Sequence, residues 1–294
     1  LLPRLDFSYQ FQPTKNLQLN YNSNINAPSV QQLQPVPDVS DPLNIVTGNP
    51  ELRPEYAHNL QLNYGSFNQE NLRSFFTGIF FTYTKDRIVN AQTIDSLFRR
   101  IYQPVNTDAE YRLNGTFAFG IPWKKIESRF NLRTEAGFTR GQNFITNREN
   151  FTSGLQLSQS LSWDYTPTEW LLFNAGAELS WNATHYSLDE AFNQDYLTQT
   201  YNAELELQLP LKFSFNSGLD MTVYSGLGAG YDEAIPVWNA SVSKFLTKNK
   251  RLQLTLAVRD ILNRNVGIHR TSNLNYVQDE RVTSLGRYGL LKLT

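Results

Sequence analysis

Histidine is the side chain most often used for metal binding and for acid–base catalysis near neutral pH, and the chain has three. His58, His185 and His269 are far apart in the sequence, and none has a second ligand at the spacing of a zinc site. Serine is abundant, but no G-x-S-x-G nucleophile motif accompanies a histidine. We therefore predict that each histidine is a polar loop or lumen residue without a ligand role, and that the chain is not an enzyme.

Glycines and paired acids provide no stronger chemical signature. The glycine-rich residues 226–230 precede no strand-to-helix unit that would cradle a phosphate, so they read as a loop tip. The acidic pairs at 189–190, 232–233 and 279–280 are compatible with calcium binding in the loops, but they lack the spacing of a calcium-binding loop. We expect solvated loop charges and no cofactor.

Apolar residues alternate with polar ones through much of the chain. Leu5, Phe7, Tyr9 and Phe11 are separated by polar residues, and the pattern returns in residues 17–21, 205–209 and 252–256. A period of two places one set of side chains on each face of a strand. A sheet that is apolar on one face and polar on the other is what a membrane-spanning barrel requires, with lipid outside and polar groups inside.

Composition agrees with this fold class. The chain has 294 residues, 40% of them hydrophobic and 13% aromatic, with no cysteine and a net charge of −1. No run approaches the roughly 20 apolar residues that a transmembrane helix needs. The near-neutral charge gives no reason to expect nucleic acid as a partner. We predict an all-β, antiparallel transmembrane β-barrel in contact with outer-membrane lipids.

Short and long connections alternate along the chain. Short reversals are predicted at residues 13–16, 66–72, 122–128, 166–169, near 210 and at 247–250, and long connections at 25–55, 85–108, 140–150, 183–198, 225–236 and 263–285. Outer-membrane barrels show this asymmetry, with short periplasmic turns and long extracellular loops. We count about thirteen strands, and because bacterial barrels close with even numbers, this odd count indicates either a miscounted strand or part of a larger barrel.

Aromatic residues fall near both kinds of connection, as the two belts of a barrel would. Beside the short turns and then beside the long loops, these are Trp123, Tyr165 and Trp170, and Trp181, Tyr224 and Trp238.

Two segments resemble a known family. The letters DPLN at 41–44 with GNPELRPE at 48–55 resemble the GNPxLxPE segment of TonB-dependent outer-membrane transporters. The letters VRDILNRN at 258–265 resemble the segment that these transporters carry near the C-terminus. Residues 27–33 and 287–288 look like the Bacteroidota outer-membrane β-barrel branch. The motif positions are Gly48, Asn49, Pro50, Leu52, Pro54, Glu55, Asp260, Leu262 and Asn263.

The resemblance implies that residues 1–294 are the C-terminal part of a barrel of about 22 strands. The plug domain, the TonB coupling box and the N-terminal barrel strands would then lie outside this sequence. Implied partners of the full-length protein are its own plug, the TonB coupling protein and, as an option, a surface lipoprotein that caps the barrel.

The motifs also have a local physical interpretation. Pro50 and Pro54 hold the chain extended before a strand, and Arg53 and Glu55 are expected to pin that loop to the rim. Asp260 and Asn263 can hydrogen-bond to local backbone and end a strand; both motifs are thus structural.

The alternation also assigns inward charges, which mix both signs and are expected to pair across strands. They are Arg112, Arg133, Glu135, Asp164, Glu178, Glu204, Glu206 and Asp220. Loop aromatics and amides are the better candidates for ligand contact. These are Tyr102, Gln103, Asn143, Phe144, Tyr186, Tyr196 and Tyr231.

The leading hypothesis is a transporter wall whose extracellular loops capture an unidentified ligand that an energised plug then admits. The alternatives are a scaffolding barrel in an outer-membrane assembly and a passive porin, with an outer-membrane enzyme as the last option.

Overall fold

The computed structural model describes residues 2–146, 148–226, 233–247, 249, 251–265, 267–272, 277–282 and 285–294. The strands in these ranges are β1 (Arg4–Gln12), β2 (Lys15–Asn26), β3 (Asn44–Val46), β4 (Glu55–Phe67), β5 (Ser74–Lys85), β6 (Ile88–Ile94), β7 (Arg100–Asn106), β8 (Ala109–Trp123), β9 (Ser128–Ile145), β10 (Arg148–Thr168), β11 (Leu171–Tyr186), β12 (Gln194–Leu209), β13 (Phe213–Ser225), β14 (Glu233–Phe245), β15 (Gln253–Arg259), β16 (Gly267–Ser272), β17 (Val277–Val282) and β18 (Tyr288–Leu293). The helices are α1 (Val30–Leu33) and the 3-10 turns Lys124–Ile126, Glu190–Phe192 and Pro210–Lys212.

Thirteen of these strands form one continuous antiparallel path. The order is β1–β2–β4–β5–β8–β9–β10–β11–β12–β13–β14–β15–β18. This confirms the all-β class and the predicted number of strands. Among the described strands, β1 pairs only with β2 and β18 only with β15, so the sheet has two free edges and is not closed.

No helix in the described part of the chain is long and apolar enough to cross a membrane.

Strand register keeps apolar and polar side chains on separate faces. Leu157 of β10 is paired with Ala136 and Trp181 on its two neighbours. The next residue, Ser158, points to the other face, where its hydroxyl donates to the Ser180 hydroxyl at 2.9 Å. Because side chains alternate, each antiparallel pair repeats this separation along its length.

The register confirms the predicted assignment of the charges to the polar face. That face carries Arg112, Arg133, Glu135, Asp164, Glu178, Glu204, Glu206 and Asp220. Arg133 and Glu135 form an ion pair along β9. The predicted pairing across neighbouring strands is wrong for this pair, since its members are two residues apart on one strand.

Aromatic rings gather on the apolar face beside the short turns. The Trp163 ring stacks on Phe130 at 6.2 Å and contacts Phe173 edge-on at 5.4 Å, with Tyr165 at 5.8 Å. Trp123 extends this belt, with its ring 6.3 Å from that of Phe130. Indole and phenol rings favour the interface between hydrocarbon and headgroups, so this cluster marks one edge of the membrane band.

A second cluster lies near the other end of the apolar face. His58 of β4 stands between the rings of Tyr21, Tyr56 and Tyr83, at 6.1, 4.5 and 5.9 Å. The His58 Nδ1 and Tyr21 hydroxyl are 2.6 Å apart, within hydrogen-bond distance. The expectation of a polar loop or lumen residue is therefore wrong for His58, and also for His185, which lies in β11 on the outward register paired with Ser153. Ala57 and Asn59, the neighbours of His58, occupy the polar face, which turns His58 outward.

Two further sequence assignments need correction. Tyr224 pairs with Thr198 and Glu233 on the polar face, so it is not part of an outer aromatic belt.

The predicted long connection at 140–150 is a tight reversal, because β9 and β10 run for 18 and 21 residues and pair up to Arg148 and Ile145. The outward residues there are mixed, with Arg140 and Gln142 beside Phe144 and Phe151, so the continuous apolar stripe stops before the hydrogen-bond ladder does.

Neighbouring positions on β12 provide a test of the two faces. Leu205 on the apolar face is paired with Phe173 and Ser217, whereas Glu206 points to the polar face. A cationic side chain on the lipid face costs about 2–4 kcal/mol at the bilayer midplane and about 0–1 kcal/mol near the interfaces. Because Leu205 is paired with Phe173 of the interfacial belt, we expect a penalty of about 1 kcal/mol there. We expect Leu205→Arg to reduce the folded fraction in lipid vesicles, measured by the heat-dependent shift in gel mobility.

The matched control is Glu206→Thr, which changes a polar-face residue and should fold nearly as well as the parent. Equal folding yields for the two variants would contradict the assignment of faces.

Candidate functional site

The end of the sheet opposite the short turns carries a second layer, which we call the rim platform: residues 27–54 with strands β6 and β7. Within it β3 runs parallel to β7, with Ile45 paired to Ile101. Strand β6 in turn reaches the wall, where Gln92 pairs with Ile145 and its carbonyl accepts from the Thr146 amide at 2.7 Å. The long predicted loops at 25–55 and 85–108 therefore contain the strands β3, β6 and β7 and are attached to β9.

The first motif holds the rim platform together by close backbone contact. The Gly48 amide donates to the Gln34 carbonyl at 3.1 Å, and a Cβ at Gly48 would lie 2.3 Å from that oxygen. The Asn49 amide donates to the Gln32 carbonyl at 2.7 Å, and its side-chain Nδ2 donates to the Pro104 carbonyl at 3.0 Å. Glycine is needed here because no side chain fits between the two segments.

Charged residues of the same motif anchor the platform to the wall. Glu55 is 7% exposed, and its Oε1 accepts from Arg87 Nη1 at 2.6 Å and from the Ile88 amide at 2.8 Å. Arg87 Nε lies 3.5 Å from Glu110, an ion pair without hydrogen-bond geometry, and Glu110 pairs with Arg112 at 3.1 Å. The alternating charges compensate one another, so each carboxylate is desolvated beside a guanidinium.

Arg53 completes the anchor and confirms the predicted pinning of this loop. Its guanidinium lies 2.7 Å from Asp86, and its backbone amide and carbonyl both bond to the Asn106 side chain, at 2.8 and 2.9 Å. Leu52 is buried at 8% exposure beneath the segment.

The second motif ends β15, as predicted. Asp260 is 3% exposed, and its two carboxylate oxygens accept from the Arg264 and Asn265 amides at 3.0 and 3.1 Å. Asn263 Oδ1 accepts from the Arg287 amide at 2.9 Å and so directs the returning chain into β18. Leu262 is 43% exposed. Asp260 and Asn263 both have positive φ, at 48° and 51°, which their short side chains tolerate better than most.

The structure brings several predicted ligand-contact residues to one rim. Tyr102 and Gln103 lie in β7, and Asn143 and Phe144 in β9; Gln92 of β6 joins the two groups because it pairs with both strands. Tyr186 ends β11 and Tyr196 lies in β12, on the polar face beside Thr152 and Asn182 respectively. Their expected placement in loops is wrong, because strands extend into this region. Tyr231 lies outside the described residues.

Some of these residues are already engaged within the protein. Gln103 donates to the Gly48 carbonyl at 3.5 Å, and Asn143 accepts from Asn150 at 2.8 Å. Tyr196 is only 8% exposed, so the expectation of an exposed aromatic is wrong there. Tyr102 and Tyr186 are half-buried and retain accessible ring surface. Ligand contact by the whole set remains a prediction.

A buried polar network under this rim has no signal in the sequence. Asn150 is fully buried and Thr152 is 1% exposed. Asn150 Nδ2 donates to Asn143 and to Thr152 Oγ1 at 2.8 and 3.0 Å, and its Oδ1 accepts from the Leu188 amide at 3.0 Å. A hollow of about 230 Å³ opens beside it, between Arg87, Glu110 and Thr152. The network fixes the tip of the tall β9–β10 hairpin against the connection that follows β11.

Two larger hollows lie on the polar face of the wall. One of about 360 Å³ is lined by amides, hydroxyls, two glycines, two apolar residues and a single charged group: Arg112, Asn114, Gly137, Thr139, Gly154, Leu155, Gln156, Asn182, Ala183 and Thr184. The other, of about 500 Å³, is lined by Asn202, Glu204, Glu206, Asn216, Asp220, Asn239, Ser241 and Arg259. Both can hydrogen-bond to polar solutes. Within the described ranges no three His, Asp or Glu side chains are placed to hold a metal ion.

An antiparallel sheet with one apolar face, aromatic belts and a polar, hollowed opposite face defines the wall of a membrane-embedded β-barrel. A family model described as the outer membrane protein beta-barrel family matches residues 1–294, and the chain belongs to that family. Its location is therefore the bacterial outer membrane, with the short turns periplasmic and the rim platform extracellular. A search of curated proteins finds no match.

The anchor predicts how firmly the platform is held. In Glu55→Gln the carboxylate that accepts from Arg87 is lost, and the buried side of the platform is weakened. Because Arg87 is partly exposed, we expect the low end of the usual penalty, about 1 kcal/mol, or roughly fivefold in local opening. Hydrogen exchange of amides 88–106 in the detergent-solubilised protein measures this effect.

Glu51→Gln is the control, since Glu51 belongs to the same motif but is exposed. Unchanged exchange in Glu55→Gln, or an equal acceleration in both variants, would contradict the anchoring role.

Proposed function

We propose that this chain is part of the wall of a TonB-dependent outer-membrane transporter. The observation that carries the proposal is that thirteen paired strands still leave both sheet edges open. Eight strands already suffice to close a narrow barrel, whereas barrels of about 22 strands enclose a plugged lumen. A sheet of thirteen strands that is still open thus fits a wide barrel, and the two rim motifs resemble those of such transporters. In a branch of this kind, the source would be a member of the Bacteroidota.

In this proposal the rim platform and the tall β9–β10 hairpin form the site of ligand capture. Tyr102 and Tyr186 supply aromatic surface, and the amide-lined hollow beside Arg112 gives a polar path below the rim. The wall performs no covalent chemistry. A plug domain elsewhere in the full-length protein, moved by the TonB coupling protein, would gate the lumen.

A scaffolding role is supported by a different observation. The tip of the β6–β7 hairpin exposes Leu97 and Phe98 at 68% and 87%, and Leu43 beside it at 65%. The tip is rigid, because Asp95 Oδ1 accepts from both the Leu97 and the Arg99 amides at 2.9 Å. Apolar side chains held out from a rigid turn suit a protein partner, either a capping lipoprotein of a transporter or another subunit of an assembly.

Conductance separates the transporter from the porin. Full-length protein reconstituted in planar bilayers with KCl should give no steady current if a plug fills the lumen. A stable ohmic current without any energy source would overturn the proposal in favour of a passive porin.

Genetics separates the transporter from the scaffold. Loss of the energy-coupling system should reproduce the growth defects of a deletion of this gene on limiting nutrients. Rescue by the Tyr102→Ala and Tyr186→Ala variants should be weaker than by the parent. A deletion phenotype that does not depend on energy coupling would contradict transport and favour the scaffold.

A further inference from the structure

On three neighbouring strands, β9, β10 and β11, the outward face has polar residues at the same height above the short turns. On β9 the outward positions run from Phe130 through Leu132 to Phe138, and Arg140 is the next. Ten residues of a strand tilted by about 40° rise roughly 25 Å, which is the height of the apolar band of such barrels. Arg140 therefore lies at the extracellular edge of the band, where lipid headgroups lie.

Two more polar residues stand at that level and in line with Arg140. Ser153 of β10 is paired with Arg140 on one side and with His185 of β11 on the other. Adjacent strands are about 4.8 Å apart, so the arginine and histidine backbones are separated by about 9.6 Å with the serine between them. That spacing lets a group the size of a phosphate reach the guanidinium, the hydroxyl and the imidazole together.

The three residues, which the strand register places on the outward face, line one cavity. Its volume is about 370 Å³, and Phe138 and Phe151, which are 38% and 43% exposed, provide apolar walls. Phe138 is the last outward residue of β9 below Arg140, so the cavity borders the apolar face of the sheet. A ligand with a charged head and an apolar body fits these surroundings, whereas a free anion leaves the phenylalanine walls unused.

Charge distribution indicates the sign of the head group. Arg140 is exposed and has no acidic side chain within ion-pair distance in the part of the chain that the structure describes. The acids near the cavity are Glu190, which lines it, and Asp195, which is 3.9 Å from His185. Glu190 lies in the 3-10 turn between β11 and β12 and Asp195 lies near the start of β12, so both are across β10 from Arg140 and the β9 side is cationic.

We propose that Arg140, with Ser153 and His185, binds the phosphate of a phosphorylated lipid in the outer leaflet. The guanidinium supplies paired N–H donors to the phosphate oxygens, as arginine does in most phosphate sites. The acyl chains of the lipid lie over Phe138 and the apolar face below it. This inference rests on the outward face alone, so it holds for a transporter, a porin or a scaffold.

Native mass spectrometry of the detergent-solubilised full-length protein tests the proposal, with bisphosphorylated lipid A as the probe. We expect one lipid to bind per protein, at least fivefold weaker binding to Arg140→Gln, and partial recovery in Arg140→Lys. Arg148→Gln is the matched control, because it removes an exposed arginine from the same hairpin but on its inward-facing register. It should bind like the parent.

Two further arms identify the ligand chemistry. Dephosphorylated lipid A should bind as weakly as the probe binds to Arg140→Gln, and excess inorganic phosphate should not displace the bound lipid. The proposal is overturned if Arg140→Gln binds like the parent, if the phosphate groups make no difference, or if inorganic phosphate competes fully. It also fails if Arg140→Gln still binds the lipid and a chelator of divalent cations abolishes that binding. The phosphate would then be held by a cation bound to Glu190.

Discussion

Backbone hydrogen bonding in hydrocarbon is the constraint on which this structure depends. No water is available in the bilayer core, so each amide and carbonyl must find a partner within the protein. The antiparallel ladder satisfies that requirement for the strands between its two free edges, β1 and β18, and it also fixes which residues face lipid. A shift of one residue in any pair would exchange Leu157 with Ser158 and place a hydroxyl in hydrocarbon. The strand register therefore determines which side chains are exposed to lipid.

Above the membrane the constraint is relaxed, and the structure changes accordingly. Strands β9 and β10 continue, but water and polar side chains can now satisfy the backbone, so connections rich in proline become possible. Stability there comes from specific polar contacts: the buried amide of Asn150, the carboxylate of Asp260 and the charge series that begins at Glu55. Each satisfies several donors at once, which is what buried polar groups need. The rim is thereby rigid enough to present side chains to a ligand or partner.

The strands could be predicted because lipid imposes a strict alternation on them. The assignment of Leu205 and Glu206 to opposite faces follows directly from their order in the sequence. Tyr224 was assigned to the outer face because it is aromatic, and His58 to a loop or the lumen because it is polar. The register of the neighbouring residues places Tyr224 on the polar face and His58 on the apolar face. The extended β9–β10 hairpin was missed because Arg140 and Gln142 break the apolar stripe while pairing continues. Arg87 and Asn150 carry no local pattern, since their importance comes from residues far along the chain, as between Arg87 and Glu55.

The central claim is that consecutive residues of these strands alternate between lipid and a polar interior, and the chain suits a direct test because it has no cysteine. Single cysteines at 157, 158, 160 and 161 would be spin-labelled in the full-length protein in lipid bilayers. Accessibility to oxygen, which partitions into lipid, would then be compared with accessibility to a water-soluble nickel complex. The structure predicts higher relative oxygen accessibility at 157 and 161 than at 158 and 160, where the nickel complex should dominate. Equal ratios at all four positions, or the reverse order, would contradict it.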